Sequence, residues 1–450
     1  RNFYPALGSN RMKSATTLSY IFALFVLTES AQAAPEIQHW ITPNGASVYF
    51  VAAPEIPIID VRFVFAAGGA RDGEEHGLAR LVSQLLQDGA GELDANQFNE
   101  QIAATGSQFS TGALRDMAWV SLRTLSEAEY SAPALSLLEA VLSAPRFERD
   151  AFERRQANAL VGIKREKQSP AAIARNAFHK ALYANHPYGS PLRGTEASVA
   201  AVTYEKVRAF HQQYYVPANA AVAIVGAVTR AQAEKIGTQL SAGMQAGDKA
   251  PALPPVEMLT QAREQQIEFP SIQSHVRIGQ PGLQRGDEDY FPLLVGNHVL
   301  GGGGLVSILF DEVREKRGLS YSVSSNFSPM AGLGPFTASL QTDNSQVDEA
   351  ISVLRYEIKK FIEQGPNVAA LSAAKKNLIG GFPLRISSNA KTIEYLTMIG
   401  FYNLPLDYLE TFPNHVAAVT AEQVREAFQR RLKADKMVTI IVGKSNKGGS

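Results

Sequence analysis

The stretch AVTYEKVRAFHQQYYVPANAAVAIVG (residues 201–226) occurs a second time, in altered form, as AVTAEQVREAFQRRLKADKMVTIIVG (residues 418–443). At an offset of 217 without gaps, Val202-Thr203 falls on Val419-Thr420, and Glu205, Val207 and Arg208 fall on Glu422, Val424 and Arg425. Ile224-Val225-Gly226 falls on Ile441-Val442-Gly443. Each copy opens on a threonine placed to cap a helix, continues as an amphipathic helix, and closes on a strand ending in glycine. The chain therefore reads as a duplication of one α+β domain of roughly 210 residues.

Working outward, MQAGDKAPALPPVEM (residues 244–258) carries three prolines and little periodicity, and is expected to join the halves. That predicts a first domain over 36–243, a linker over 244–258 and a second domain over 259–444. In the first half, IIDVRFVFAAGG (58–69) reads as a half-buried strand, and SAPALSLLEAVLSA (131–144) and ASVAAVTYEKVRAF (197–210) as helices. In the second, SHVRIGQPG (274–282) and GPFTASLQT (334–342) read as strands. FPLLVGNHVLG (291–301) reads as a buried helix, and QVDEAISVLRYEIKKFIEQG (346–365) as a long amphipathic helix stopped by Gly365. Strands and helices mix without strict βαβ alternation, so the fold class is α+β.

Composition narrows the function classes. A chain of 450 residues exceeds what one core usually organises. Lys+Arg and Asp+Glu both number 43, so no basic excess points to nucleic acid or an anionic membrane. Cysteine is absent, which excludes disulfides, thiolate metal sites, cysteine nucleophiles and lipoprotein anchoring. Met12-Lys13, the apolar run 18–27 broken only by Ser19, and an Ala-x-Ala site at Ala31–Ala33 have the layout of a signal peptide over 12–33, cleaved near Ala33. Ten apolar residues are too few to span a bilayer as a helix, and no later segment is long and apolar enough. A cysteine-free exported chain suits a periplasm. Arg1–Arg11 precede Met12, the expected start methionine, and are set aside, and KSNKGGS at the C-terminus reads as a tail.

Three stretches resemble the pitrilysin/insulinase family of zinc metallopeptidases, over essentially the whole mature chain: GGARDGEEHGLARLVSQLLQDGA, HPYGSPLRGTEASVAAVT and LGGGGLVSILFDEVREKRGLSYSV. The resemblance implies two tandem metallopeptidase-like (LuxS/metallopeptidase-like) domains forming half of a clam-like chamber that encloses peptides. Active members carry His-x-x-Glu-His on a helix: two histidines one turn apart hold zinc, and the glutamate between them activates water. On that frame GLARLVSQLL puts Arg80 at the first histidine, Ser83 at the glutamate and Gln84 at the second histidine. The distal glutamate ligand falls on Gly162. A guanidinium repels a divalent cation, Ser83 has no carboxylate, and Gly162 has no side chain.

None of the eight histidines supplies a pair at ligand spacing, and Glu74-Glu75-His76 reads as a solvated loop cluster. This chain is expected to hold no metal. The family's other constellation is present in VREKRGLSY, where Arg314 and Tyr321 stand seven apart. The bare pattern is a basic helix end followed by a strand, with Tyr321 in the core. The resemblance instead assigns both residues to the substrate-facing side, where they would complete the zinc site of another chain. It implies a homologous zinc-bearing partner with an intact His-x-x-Glu-His, a heterodimer, and peptide substrates. The alternative is an inert peptide-binding or scaffold protein of the same fold. GGGG (301–304) lacks the Lys-Ser/Thr of a phosphate loop and is expected to be a flexible turn between helices. His186–Gly189 is expected to be a structural turn.

Overall fold

The structure is a computed structural model that describes residues 35–444. The expected signal segment, Arg1–Arg11 and residues 445–450 of the tail lie outside the described residues. In the first half the strands are β1 (Gln38–Ile41), β2 (Ser47–Ala52), β3 (Ile58–Phe65), the two-residue β4 (Gly89–Ala90) and β5 (Leu93–Asp94), β6 (Gln108–Ala113), β7 (Ala118–Leu125) and β8 (Ala220–Gly226). The helices are α1 (Leu78–Leu85), α2 (Ala95–Ala104), α3 (Ala128–Ser143), α4 (Arg149–Glu166), α5 (Pro170–Tyr183), α6 (Glu196–Ala201), α7 (Tyr204–Tyr214) and α8 (Arg230–Ala242). The second half has strands β9 (Arg263–Glu268), β10 (Gln273–Leu283), β11 (Ser322–Phe327), β12 (Gly334–Asp343) and β13 (Val438–Gly443). Its helices are α9 (Tyr290–Asn297), α10 (Val347–Gln364), α11 (Val368–Arg385), α12 (Asn389–Tyr402), α13 (Tyr408–Ala418) and α14 (Ala421–Arg431).

The duplication read from the sequence is visible in the sheets. The first has the order β1-β2-β8-β3-β7-β6 and the second β9-β13-β10-β12-β11. Leaving out β1, the pairing directions agree throughout: β2 with β8 and β9 with β13 are parallel, and every other neighbouring pair is antiparallel. The strands that close the two repeats, β8 and β13, are buried at every position. That explains why neither alternates: β8 is apolar throughout and β13 is interrupted only by the buried Thr439. Thr203 and Thr420 cap α7 and α14, their hydroxyls accepting from Lys206 N and Gln423 N. The structure differs from the sequence reading at residues 197–210, which form two helices. Thr203 ends the first by capping the second, and α6 has its own capping box from Thr195 and Ser198.

The halves exchange a helix. From the first half, α5 packs on β13 and β10, while α12 of the second half packs on β8, β3 and β2. Phe178 of α5 is buried with Val438, Ile440 and Val442 in a core of the second sheet. Two glycines permit the close approach: a Cβ on Gly279 would lie 2.9 Å from the Phe178 ring, and one on Gly400 would lie 2.7 Å from the Tyr49 ring. Residues 243–262, between α8 and β9, form no helix or strand and are strapped across the first half. Arg71 Nη2 donates to Pro251 O at 2.5 Å, Ala250 N donates to Asn219 Oδ1 at 3.0 Å, and His186 Nε2 lies 2.9 Å from Pro254 O.

Candidate functional site

The helix at the metal-motif position is held by everything except its ligand positions. Gly77 begins it at φ +100°, where an added Cβ would sit 2.7 Å from Arg193 O, so only glycine fits. Buried Asp72 accepts from Gly77 N and Ala79 N, both at 2.7 Å, and satisfies the helix start. Leu78, Ala79, Leu81, Val82 and Leu85 are buried in the first core. Asp88, just beyond α1, takes a bidentate contact from Arg155 of α4 at 2.7 and 3.0 Å, which locks the two helices together.

The four positions that the resemblance aligns with the metal motif are occupied as follows. Ser83 is buried; its hydroxyl donates to Arg80 O at 3.1 Å and its carbonyl accepts from Thr111 Oγ1. It is spent on local backbone, not aimed at a substrate. Arg80 and Gln84, one turn apart, are half-buried. The Arg80 side chain makes no hydrogen bond or ion pair with a described residue. Burial and the like charge of Arg193 hold its guanidinium below its ordinary range, and Glu166 opposes them. On α4, a Cβ at Gly162 would lie 3.7 Å from Arg193 Nη1, so an arginine stands where a ligand side chain would project. Among the described residues there is no group of three or more His, Asp or Glu side chains that could hold a metal. Glu75 of the loop cluster pairs with Lys206.

Arg314 and Tyr321 lie in the second half. Arg314 is on a π-helical turn (Phe310–Glu315), its guanidinium 4.7 Å from the centre of the Phe310 ring. Gly318 turns the chain at φ +64° with open space around it. Leu319 and Ser320 are then buried, Ser320 Oγ donating to Gln341 O at 2.7 Å. Tyr321 is 84% exposed. The tyrosine is thus not a core residue: anchored neighbours hold its ring in solvent at the mouth of β11. No hydrogen bond or ion pair among the described residues joins Arg314 to Tyr321, or either of them to the α1 and α4 positions. The glycine run differs from the expected flexible turn. Gly301 and Gly302 belong to a π-helical turn, and a Cβ on Gly301 would lie 2.5 Å from Ser325 Oγ. Close packing against β11 requires glycine there.

Sequence reasoning missed Arg193, which approaches Gly162, and the Glu166 carboxylate that Arg193 shares with Arg175. It also missed what His186–Gly189 does. That segment is a 3-10 turn, and it presents fully buried Tyr188 to Asp116. Asp116 also accepts from Tyr402 Oη at 2.9 Å and Ala331 N at 2.7 Å, tying the first half to the second. Burial beside that carboxylate pushes the Tyr188 hydroxyl well above the usual phenol range. Both candidate regions adjoin a sheet edge: β6, packed beside α1, and β11, which follows Tyr321, are the corresponding outer strands of the two sheets. Their outward backbone groups can pair with an added strand.

Residues 48–196 match the family profile described as Insulinase (Peptidase family M16), and residues 201–378 match the Peptidase M16 inactive domain. A Helicobacter pylori protein named non-peptidase homolog YmxG is 24% identical over 396 residues, 87% of this chain and 90% of that one. A Bacillus subtilis protein named uncharacterized zinc protease YmxG is 24% identical over 420 residues, 91% of this chain and 99% of its own. The crystal structure of a peptidase M16 inactive domain from Pseudomonas fluorescens shares 37% identity and a TM-score of 0.88, covering 91% of this chain and 98% of that one. The chain belongs to the M16 (insulinase) peptidase family, as an inactive homologue in which no His-x-x-Glu-His motif remains.

Proposed function

We propose that this chain is the non-catalytic subunit of a heterodimeric periplasmic zinc metallopeptidase acting on peptides, exported with cleavage near Ala33. Its partner is a homologous chain with an intact His-x-x-Glu-His. The observation that carries this reading is Tyr321, a large aromatic side chain that is 84% exposed while Leu319 and Ser320 beside it are buried and Ser320 is bonded to the β12 backbone. Such exposure has no use in folding and leaves the hydroxyl free to serve another chain's site. Bound to the partner, zinc would polarise the scissile carbonyl and activate water. The Tyr321 hydroxyl would donate to the oxyanion that develops on that carbonyl. Arg314 would hold a substrate backbone carbonyl and fix its register, while the peptide backbone pairs with a strand edge.

The test is reconstitution. The chain alone is expected to leave peptides intact, and cleavage is expected when the zinc-bearing homologue is added, with a complex visible by size-exclusion chromatography. Intact-mass analysis of native material is expected to begin near Ala34. The name of the Helicobacter pylori relative, a non-peptidase homolog, favours a second reading: an inert peptide-binding or scaffold protein. A chain that never associates with, or never activates, a zinc-bearing homologue would establish that reading instead.

A further inference from the structure

The emptied metal position is one end of a row of arginines. Arg80 of α1 lies beside Arg193, close enough for their charges to interact. Arg193 Nε pairs with Glu166 at 2.8 Å, and Arg175 Nη2 of α5 reaches the same carboxylate oxygen at 3.1 Å. Arg175 in turn stands close enough to Arg277 of β10 for its charge to act there. Arg193 and Arg175 thus share one carboxylate, and Arg80 and Arg277 add a further guanidinium at either end. In a chain whose net charge is zero, this is a local concentration and not a general basicity. Arg80 and Arg277 make no side-chain hydrogen bond or ion pair with any described residue, and both are only half-buried. A partly desolvated guanidinium without a bonded partner loses hydration and regains no hydrogen bond within the chain, so an outside anion is the group that would complete it.

The neighbouring strand indicates the form of that anion. Edge strand β6 packs against α1, the helix that carries Arg80, and its outward backbone groups can pair with an extended chain. We propose that the arginine row Arg80–Arg193–Arg175–Arg277 binds the carboxylates of an acidic peptide whose backbone lies along β6. The loss of the zinc ligands thereby becomes a preference for acidic substrate segments. The inference rests on the peptide-binding reading above, but it requires neither a partner chain nor cleavage.

It is tested on the isolated chain by fluorescence anisotropy, with a labelled unstructured peptide bearing glutamate at alternate positions and its glutamine counterpart. The glutamate peptide is expected to bind about tenfold more tightly, or better, with a preference that shrinks between about 50 and 200 mM salt. Arg80→Gln and Arg277→Gln are each expected to remove about tenfold of the glutamate peptide's affinity and to leave the glutamine peptide unchanged. Arg80→Lys, which keeps the charge, is expected to retain most of the preference, and thermal melts of each variant confirm folding. Equal binding of the two peptides, or a preference that survives both glutamine variants, would overturn the inference while leaving peptide binding in place. No binding of either peptide would remove the peptide reading as well. A single-stranded oligonucleotide that competes as well as the glutamate peptide would show a general polyanion surface and also overturn it.

Discussion

The two halves follow the same strand order, yet they finish their surfaces in opposite ways. In the first half the helix after β3 is fixed by Asp72, Asp88 and five buried apolar residues, and a guanidinium and an amide occupy the half-buried positions that the resemblance aligns with metal ligands. In the second half the chain before β11 is fixed by Leu319 and Ser320, and its outward position is an exposed phenol. In both, apolar or buried residues do the packing and the polar side chain at issue faces outward. Packing and chemistry are separable here because they sit on different faces of the same short segment.

The largest expected effect breaks the exchange that joins the halves. Phe178→Ala removes a buried ring that the first half places on the second sheet, and is expected to cost about 3–5 kcal/mol in chemical denaturation. A loss below about 1 kcal/mol would mean that the second sheet does not depend on α5. Next is the chemistry of the second half. Tyr321→Phe is expected to lower turnover of the reconstituted pair by roughly 10²–10³ without disturbing assembly. Wild-type turnover in this variant would return the phenol to mere surface decoration.

The repeat itself sharpens the third prediction. His211 of α7 corresponds, at the offset of 217, to Phe428 of α14. The imidazole is buried between the Phe147 and Tyr215 rings with Nε2 unpartnered, and burial pulls it down to about 4. The folded chain thus keeps this histidine neutral below its ordinary value of 6.5, whereas the unfolded chain takes up the proton there. Its contribution to stability is complete above about pH 6.5 and is lost as pH falls toward 4, by roughly 3 kcal/mol. His211→Phe, the second half's own residue, is expected to flatten that part of the stability–pH curve. An unchanged slope between pH 6.5 and 4 would show that the histidine is not the group responsible. The smallest effect is at the emptied site. Arg80→Gln relieves the repulsion from Arg193 and is expected to change stability by no more than about 1 kcal/mol. Both wild type and variant are expected to carry no stoichiometric zinc by elemental analysis, and one tightly held zinc per chain would contradict the reading of α1.

What could be read from the sequence was local. The capped helices α7 and α14, the apolar strands β8 and β13 and the stop at Gly365 each announce themselves within a few residues, because capping, periodicity and backbone freedom act over that range. That Arg80, Ser83 and Gln84 stand on one helix was legible for the same reason, being a fixed spacing. The exchange of α5 and α12 was not, since nothing in either helix states which sheet it covers. Nor was the arginine row, whose members come from α1, α5, β10 and the turn before α6 and meet only in the folded chain. Tyr321 lay between. Its spacing from Arg314 suggested a role, but only the buried residues beside it show that the ring is directed outward.

The exchanged helices also set a timetable for synthesis. A chain made from its N-terminus completes β8, the central strand of its first sheet, at Gly226, but the helix that covers that sheet's second face runs from Asn389 to Tyr402. At typical rates of translation the gap is on the order of ten seconds. During it, the face of β2, β3 and β8 that will receive α12 is bare, while α5 waits for a sheet that has not been made. Neither half is expected to fold as a free-standing unit when expressed alone. The duplication that built this protein has in that sense become irreversible: each copy now carries a piece of the other's interior.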